Sequence, residues 1–137
     1  MIKSLKALSL SLALALPATG AVAQDLLTPD EFLDIAVGNT LTFRDAQTGQ
    51  LIGIEQFLAR DRSKWTRADG TCVNGDISVR GAAICFDYPD DPRTHCWWPI
   101  MDQGEIYVRF ATLSSSSIQQ VTEITQDPVI CEEVPSV

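Results

Sequence analysis

The chain has 137 residues, with 10 Lys and Arg against 18 Asp and Glu, for a net charge of −8. Such a surface repels phosphate backbones and anionic lipid, and no basic stripe interleaves with aromatics, so nucleic-acid binding and membrane-surface binding are disfavoured. The length suits one compact domain with a modest core and is too short for two.

Lys3 and Lys6, the apolar run Ala7 to Leu16, and Ala21-Val22-Ala23 have the layout of a secretory signal peptide, which predicts cleavage after Ala23. The run is shorter than the roughly 20 apolar residues of a membrane span and is followed by Pro17 and Gly20. Residues 1–23 are thus expected to be a leader and residues 24–137 one mature β domain. No cysteine stands just after the cleavage site to carry a lipid, so the expected product is free of the membrane, in the bacterial periplasm or secreted. Loss of Lys3 and Lys6 leaves 8 basic against 18 acidic groups, a mature charge of −10.

Thr28-Pro29-Asp30-Glu31 combines a cap, a first-turn proline and a capping-box glutamate, predicting a short helix to about Val37. Phe32, Ile35 and Ala36 fall on one face, with Leu33 and Val37 at its edge, and Gly38-Asn39 supplies the stop. That face is expected to plug or cover a sheet.

From Thr40 the pattern changes to period two, broken by turn residues every eight to twelve positions. Leu41 and Phe43 predict a strand that turns at Asp45 to Gly49 into a second, Leu51 to Arg60, with Ile52 and Ile54 on one side. A strand around Trp65 follows, then turns at Asp69-Gly70, Asn74-Gly75 and Arg80-Gly81, and a strand with Ile84, Phe86 and Tyr88 on one face. Pro89 and Pro92 make the acidic segment from Asp87 to Thr94 an exposed hairpin end. Beyond it come the strand from His95, a turn near Asp102-Gln103-Gly104, a strand with Ile106, Val108 and Phe110, a serine link Ser114 to Ser117, and a last strand Ile118 to Thr125. Asp127-Pro128 opens a tail. The fold class is mainly β: a short N-terminal helix, then an antiparallel meander of about seven or eight strands forming a strongly bent sheet or a small barrel.

The four cysteines, Cys72, Cys85, Cys96 and Cys131, predict two disulfides in an oxidising compartment. Their spacing and the single histidine, His95, argue against zinc. If the proline loop is centred near Pro89 to Pro92, Cys85 and Cys96 fall opposite each other, which favours Cys85 with Cys96 and Cys72 with Cys131. Cys72 with Cys85 and Cys96 with Cys131 is the competing pairing.

The stretch Ile77 to Tyr88, with Ile84-Cys85-Phe86-Asp87-Tyr88 and the later Cys96-Trp97, resembles small, uncharacterised exported β-rich proteins of alphaproteobacteria. The resemblance implies a periplasmic β-rich domain in a Gram-negative bacterium and carries over no catalytic residue. Cys72 and Cys131 are additions to the simplest form of that pattern.

No catalytic constellation stands out. His95 lies beside a half-cystine with no nucleophile elbow in the chain, and the scattered glycines Gly49, Gly53, Gly70, Gly75, Gly81 and Gly104 read as turn punctuation and form no phosphate loop. Asp87, Asp90 and Asp91 share a loop but lack the alternating ligands and closing glutamate of a calcium site. Neither a metal nor another cofactor is expected, and the chain is not expected to be an enzyme. Trp97 and Trp98, adjacent on a strand, must face opposite ways. The candidate binding surface is Trp97, Tyr88, Asp87, Asp90 and Asp91.

The sequence therefore favours a binding or inhibitor-like module without catalysis, partnered by a protein or a small ligand; a basic enzyme such as a lysozyme would suit its charge. The alternative is a small barrel for an apolar ligand, with a cavity ringed by Trp65, Trp98 and Phe110. A hydrolase built on Asp87, Asp90 and Asp91 is a third reading, lacking a recognisable acid/base environment.

Overall fold

The computed structural model describes residues 25–112 and 114–132. The expected leader and its cleavage point at Ala23 lie outside these residues. A two-residue strand β1 (Asp25–Leu26) precedes helix α1 (Pro29–Ala36). Eight longer strands follow: β2 (Thr40–Asp45), β3 (Leu51–Ala59), β4 (Arg62–Arg67), β5 (Cys72–Arg80), β6 (Ala83–Asp87), β7 (Thr94–Asp102), β8 (Glu105–Phe110) and β9 (Ile118–Thr125).

Each of these eight strands pairs antiparallel with the next, and β9 returns to pair with β2, so the meander closes into an up-and-down barrel. β1 is an addition, paired with β7 through Asp25–Met101 and Leu26–Ile100. Closure removes the exposed edges that an open sheet of eight strands would leave. Among the described residues, no helix is long and apolar enough to cross a membrane.

The meander gives the barrel two unlike ends. Helix α1 lies at one of them, together with the turns β3–β4, β5–β6 and β7–β8. The Thr28 hydroxyl accepts the Glu31 amide, and the Glu31 carboxylate accepts the Thr28 amide at 2.8 Å, so the capping box is complete. Phe32, Leu33 and Ala36 are buried. Phe32 meets Phe57 edge to face at 5.8 Å, and Phe57 meets Phe86 likewise at 6.1 Å. The helix is tied down by backbone bonds from Gly38 to the Phe57 carbonyl and from Phe57 to the Asn39 carbonyl. Arg60 adds a fork to Asp30 and Asp34 at 2.8 and 2.7 Å. The opposite end carries the β2–β3, β4–β5, β6–β7 and β8–β9 connections and has no such plug among the described residues.

Two disulfides brace the wall, Cys85–Cys96 and Cys72–Cys131. Cys85 and Cys96 are directly opposed on β6 and β7, with Cα atoms 4.0 Å apart. The tail after β9 crosses the outside of the barrel: Thr40 donates to the Asp127 carbonyl, the Val129 amide donates to the Gln56 side chain, and Glu132 bonds to Gly70. Cys72–Cys131 fastens this strap and closes a segment 59 residues apart in sequence. In the chain-entropy description that constraint contributes about 4 kcal/mol.

Two details differ from the pattern in the sequence. Asn74-Gly75 does not turn but runs straight through β5. The inward side of β3 carries Gly53, Glu55 and Phe57 rather than Ile52 and Ile54, because Glu55 and Gly53 stand opposite Leu41 and Phe43 of β2. Ile52 reaches the interior only at a bulge, where Phe43 pairs with Gly53 and Arg44 with Leu51.

Candidate functional site

The space between the plug and the open end is a cavity of about 300 Å³. Its floor is Phe32 of α1. Its walls carry Phe43, Trp65, Ile84, Phe86, Tyr88, Trp97 and Val108, and its rim Arg67, Asp90, Asp91, His95 and Gln119. Asp90 is half-exposed, so the cavity reaches the surface at the β6–β7 loop.

Two strand glycines make room for the aromatic lining. A methyl group on Gly53 would collide with the indole of Trp65, so the absence of a side chain lets that ring lie across β3. At Gly75 a Cβ would come within 2.8 Å of the Tyr88 ring and 2.6 Å of the Ser63 hydroxyl. These two glycines are seats for side chains and not turn punctuation. Phe43 packs against Trp65 at 6.2 Å, and the Phe86 and Tyr88 rings stack at 6.4 Å.

One acidic group sits within this apolar surround. Glu55 is 2 % exposed and lines the cavity. Its Oε2 accepts from the Tyr88 hydroxyl at 3.3 Å, while Oε1 has no hydrogen-bond partner. The nearby Ser63 hydroxyl is equally buried and makes no bond of normal geometry. Burial pushes the Glu55 carboxyl up to about 8, against a weaker opposing pull from the Ser63 and Tyr88 hydroxyls. The same burial, with the Glu55 charge beside it, drives the Tyr88 phenol well above its ordinary range, so Tyr88 serves as a donor. Burial thus favours the protonated carboxyl at neutral pH.

The rim is different in kind. Arg67 is paired with Asp90, and Asp91 accepts from Arg93 at 3.1 Å and lies 2.8 Å from His95 Nε2. Hydrogen bonds from the Arg93 side chain and backbone, and then from His95, hold the Asp91 carboxyl well below the usual carboxylate range. These groups satisfy one another, and of the acids that line the cavity, Glu55 has no ion-pair partner among the described residues.

The residues singled out in the sequence separate as follows. Tyr88, Asp90, Asp91 and Trp97 line the cavity, with Tyr88 and Trp97 turned inward. Asp87 lies outside it and accepts from the Thr94 hydroxyl across the β6–β7 pair. Trp98 is not part of the ring of aromatics: it points away from Trp97 and lines a separate groove with Leu26, Leu27 and Ile100. Trp97 takes the inner position and meets Phe110 edge to face at 5.1 Å. Glu55 escaped notice in the sequence because apolar residues occupy both faces of Leu51 to Leu58, so alternation did not show which face was inside. Its signal was the parity it shares with Phe57.

The chain matches no protein-family model, no curated protein and no solved structure.

Proposed function

We propose that this protein is an exported, non-catalytic carrier or sensor that holds a small, largely apolar ligand inside its barrel. The observation that supports this reading is the aromatic-lined cavity of about 300 Å³, closed by Phe32 at one end and reaching the surface at Asp90. Eight-stranded barrels are wide enough either to be filled by side chains or to hold one small ligand. The volume lies at the lower end of the about 300 to 1,000 Å³ typical of small-molecule sites, which suits a body of one or two rings. Transfer of such a body from water onto these walls is favourable at about 25 cal/mol per Å² of apolar surface buried.

Export is supported by the leader pattern from Lys3 to Ala23 and by the two disulfides, which persist in oxidising compartments. The resemblance around Ile84 to Tyr88 points to the periplasm of a Gram-negative bacterium. An inhibitor-like module with a basic protein partner draws its support from the acidic charge alone, which a solvated surface shares. The cavity favours the small ligand.

Trp65 and Trp97 are built-in reporters, being the two tryptophans on the cavity wall. Titration with a panel of one-ring and two-ring apolar compounds is expected to quench or shift their fluorescence saturably, with a smaller response in Trp97→Phe. Silence across the panel would remove the carrier reading. Fractionation of the producing cells, with sequencing of the protein's first residues, is expected to find Gln24 at the front in the periplasmic or secreted fraction; a retained leader in the cytoplasm would overturn export.

A further inference from the structure

Among the features of the molecule, the unmatched carboxyl oxygen of Glu55 says most about what occupies the cavity that this residue lines. Glu55 Oε1 is buried and without a partner on the β3 side of the cavity wall. Buried polar atoms are seldom left unmatched, since each costs the free energy of its lost hydration. A carboxyl oxygen left unmatched at a cavity wall calls for a ligand with a donor. The five aromatic rings on the walls present negatively charged faces, and these favour a cation.

We propose that the ligand is a small primary ammonium carrying an aromatic ring, an N–H group donating to Glu55 Oε1 while the ring lies among Phe43, Trp65 and Trp97. This rests on the carrier reading above and specifies its ligand. The rim supports it: the cation Arg67 is engaged by Asp90, and Asp91 is engaged by Arg93 and His95, so the acid awaiting a counter-charge is Glu55. A quaternary ammonium would satisfy the charge but not the Glu55 oxygen, because it has no N–H. A neutral hydrocarbon would satisfy neither requirement.

Binding has a proton balance. Glu55 is held mostly protonated in the empty site near neutrality, so an incoming ammonium displaces that proton to solvent and leaves an ion pair. The titratable groups that share the cavity with Glu55 are Arg67 on β4, Tyr88 just after β6, Asp90 and Asp91 in the β6–β7 loop, and His95 on β7. Each of them already has a partner, whereas Glu55 gains its counter-charge on binding.

The test is calorimetric titration of the oxidised protein with phenethylamine, propylbenzene and phenethyltrimethylammonium. Phenethylamine is expected to bind about tenfold or more tighter than either of the others, the scale of a charge-assisted hydrogen bond. At about pH 7 or below its binding should release close to one proton, read from buffers of different ionisation enthalpy. Glu55→Gln should abolish both the preference for the amine and the proton release. Equal affinity for phenethylamine and propylbenzene would overturn the ammonium assignment and leave the carrier reading standing. An equally tight quaternary compound would also overturn it. Failure of all three probes to bind the wild-type protein would remove the carrier reading together with this inference.

Discussion

The two ends of the barrel are built from different materials. At the plugged end, Phe32, Leu33 and Ala36 of α1 close against Phe57, and backbone bonds from Gly38 and Phe57 lock the helix to β3. At the open end, Arg67, Asp90, Asp91, Arg93 and His95 hold one another by ion pairs and hydrogen bonds at the surface. The first arrangement takes its free energy from apolar area removed from water; the second gains little, because exposed charges remain well solvated. Stability is therefore concentrated below the cavity, and the groups around the mouth are available for recognition. Glu55 sits between the two regimes, a charged residue type placed among the packing of the closed end.

The contrast is broken most strongly at Phe57. Phe57→Ala removes a fully buried ring that contacts both Phe32 and Phe86, and is expected to cost about 3 to 5 kcal/mol in denaturant unfolding. Glu55 gives the next largest effect, through pH. Its carboxyl is raised from 4.5 to about 8 in the folded protein, so between those values the folded state holds a proton that the unfolded state has lost. Stability must then fall as pH rises through this window, by up to about 1.4 kcal/mol per pH unit. Unfolding curves at pH 5, 7 and 9 should show that slope in the wild type and lose most of it in Glu55→Gln. Thr28→Ala breaks the capping box that starts the plug and should cost about 1 kcal/mol, read as a lowered denaturation midpoint. Asp90→Asn, at the mouth, should change stability by less than about 1 kcal/mol, since its pair with Arg67 is partly exposed. A loss at Asp90 as large as that at Phe57 would erase the distinction between the ends.

The closed end was largely legible from the sequence. Thr28-Pro29-Asp30-Glu31 announces a capped helix by local chemistry alone, and Cys85 and Cys96 stand opposite each other once the loop between them is centred on its prolines. Local rules suffice there because each signal concerns residues close in the chain. The cavity depended on contacts that local rules do not encode. Gly75 resembles a turn residue beside Asn74 until the Tyr88 ring, brought over by the β5–β6 pairing, is seen to occupy the space of its missing side chain. Glu55 resembles a surface acid until the β2–β3 register faces it inward. The choice between Trp97 and Trp98 likewise required the register with β8, which sets Trp97 opposite Phe110.

The strap across the outer wall has a bearing on how the mouth can be altered. Strand order follows chain order around the whole barrel, so each loop at the mouth joins two neighbouring staves and can be exchanged without rerouting the chain. The β4–β5 loop is the exception, because Cys131 grips Cys72 at its edge and Glu132 is bonded to Gly70. Grafted or lengthened segments thus belong at Ala46 to Gln50 or Pro89 to Arg93, where new specificity can be added while the stapled loop serves as the fixed reference against which the others are reshaped.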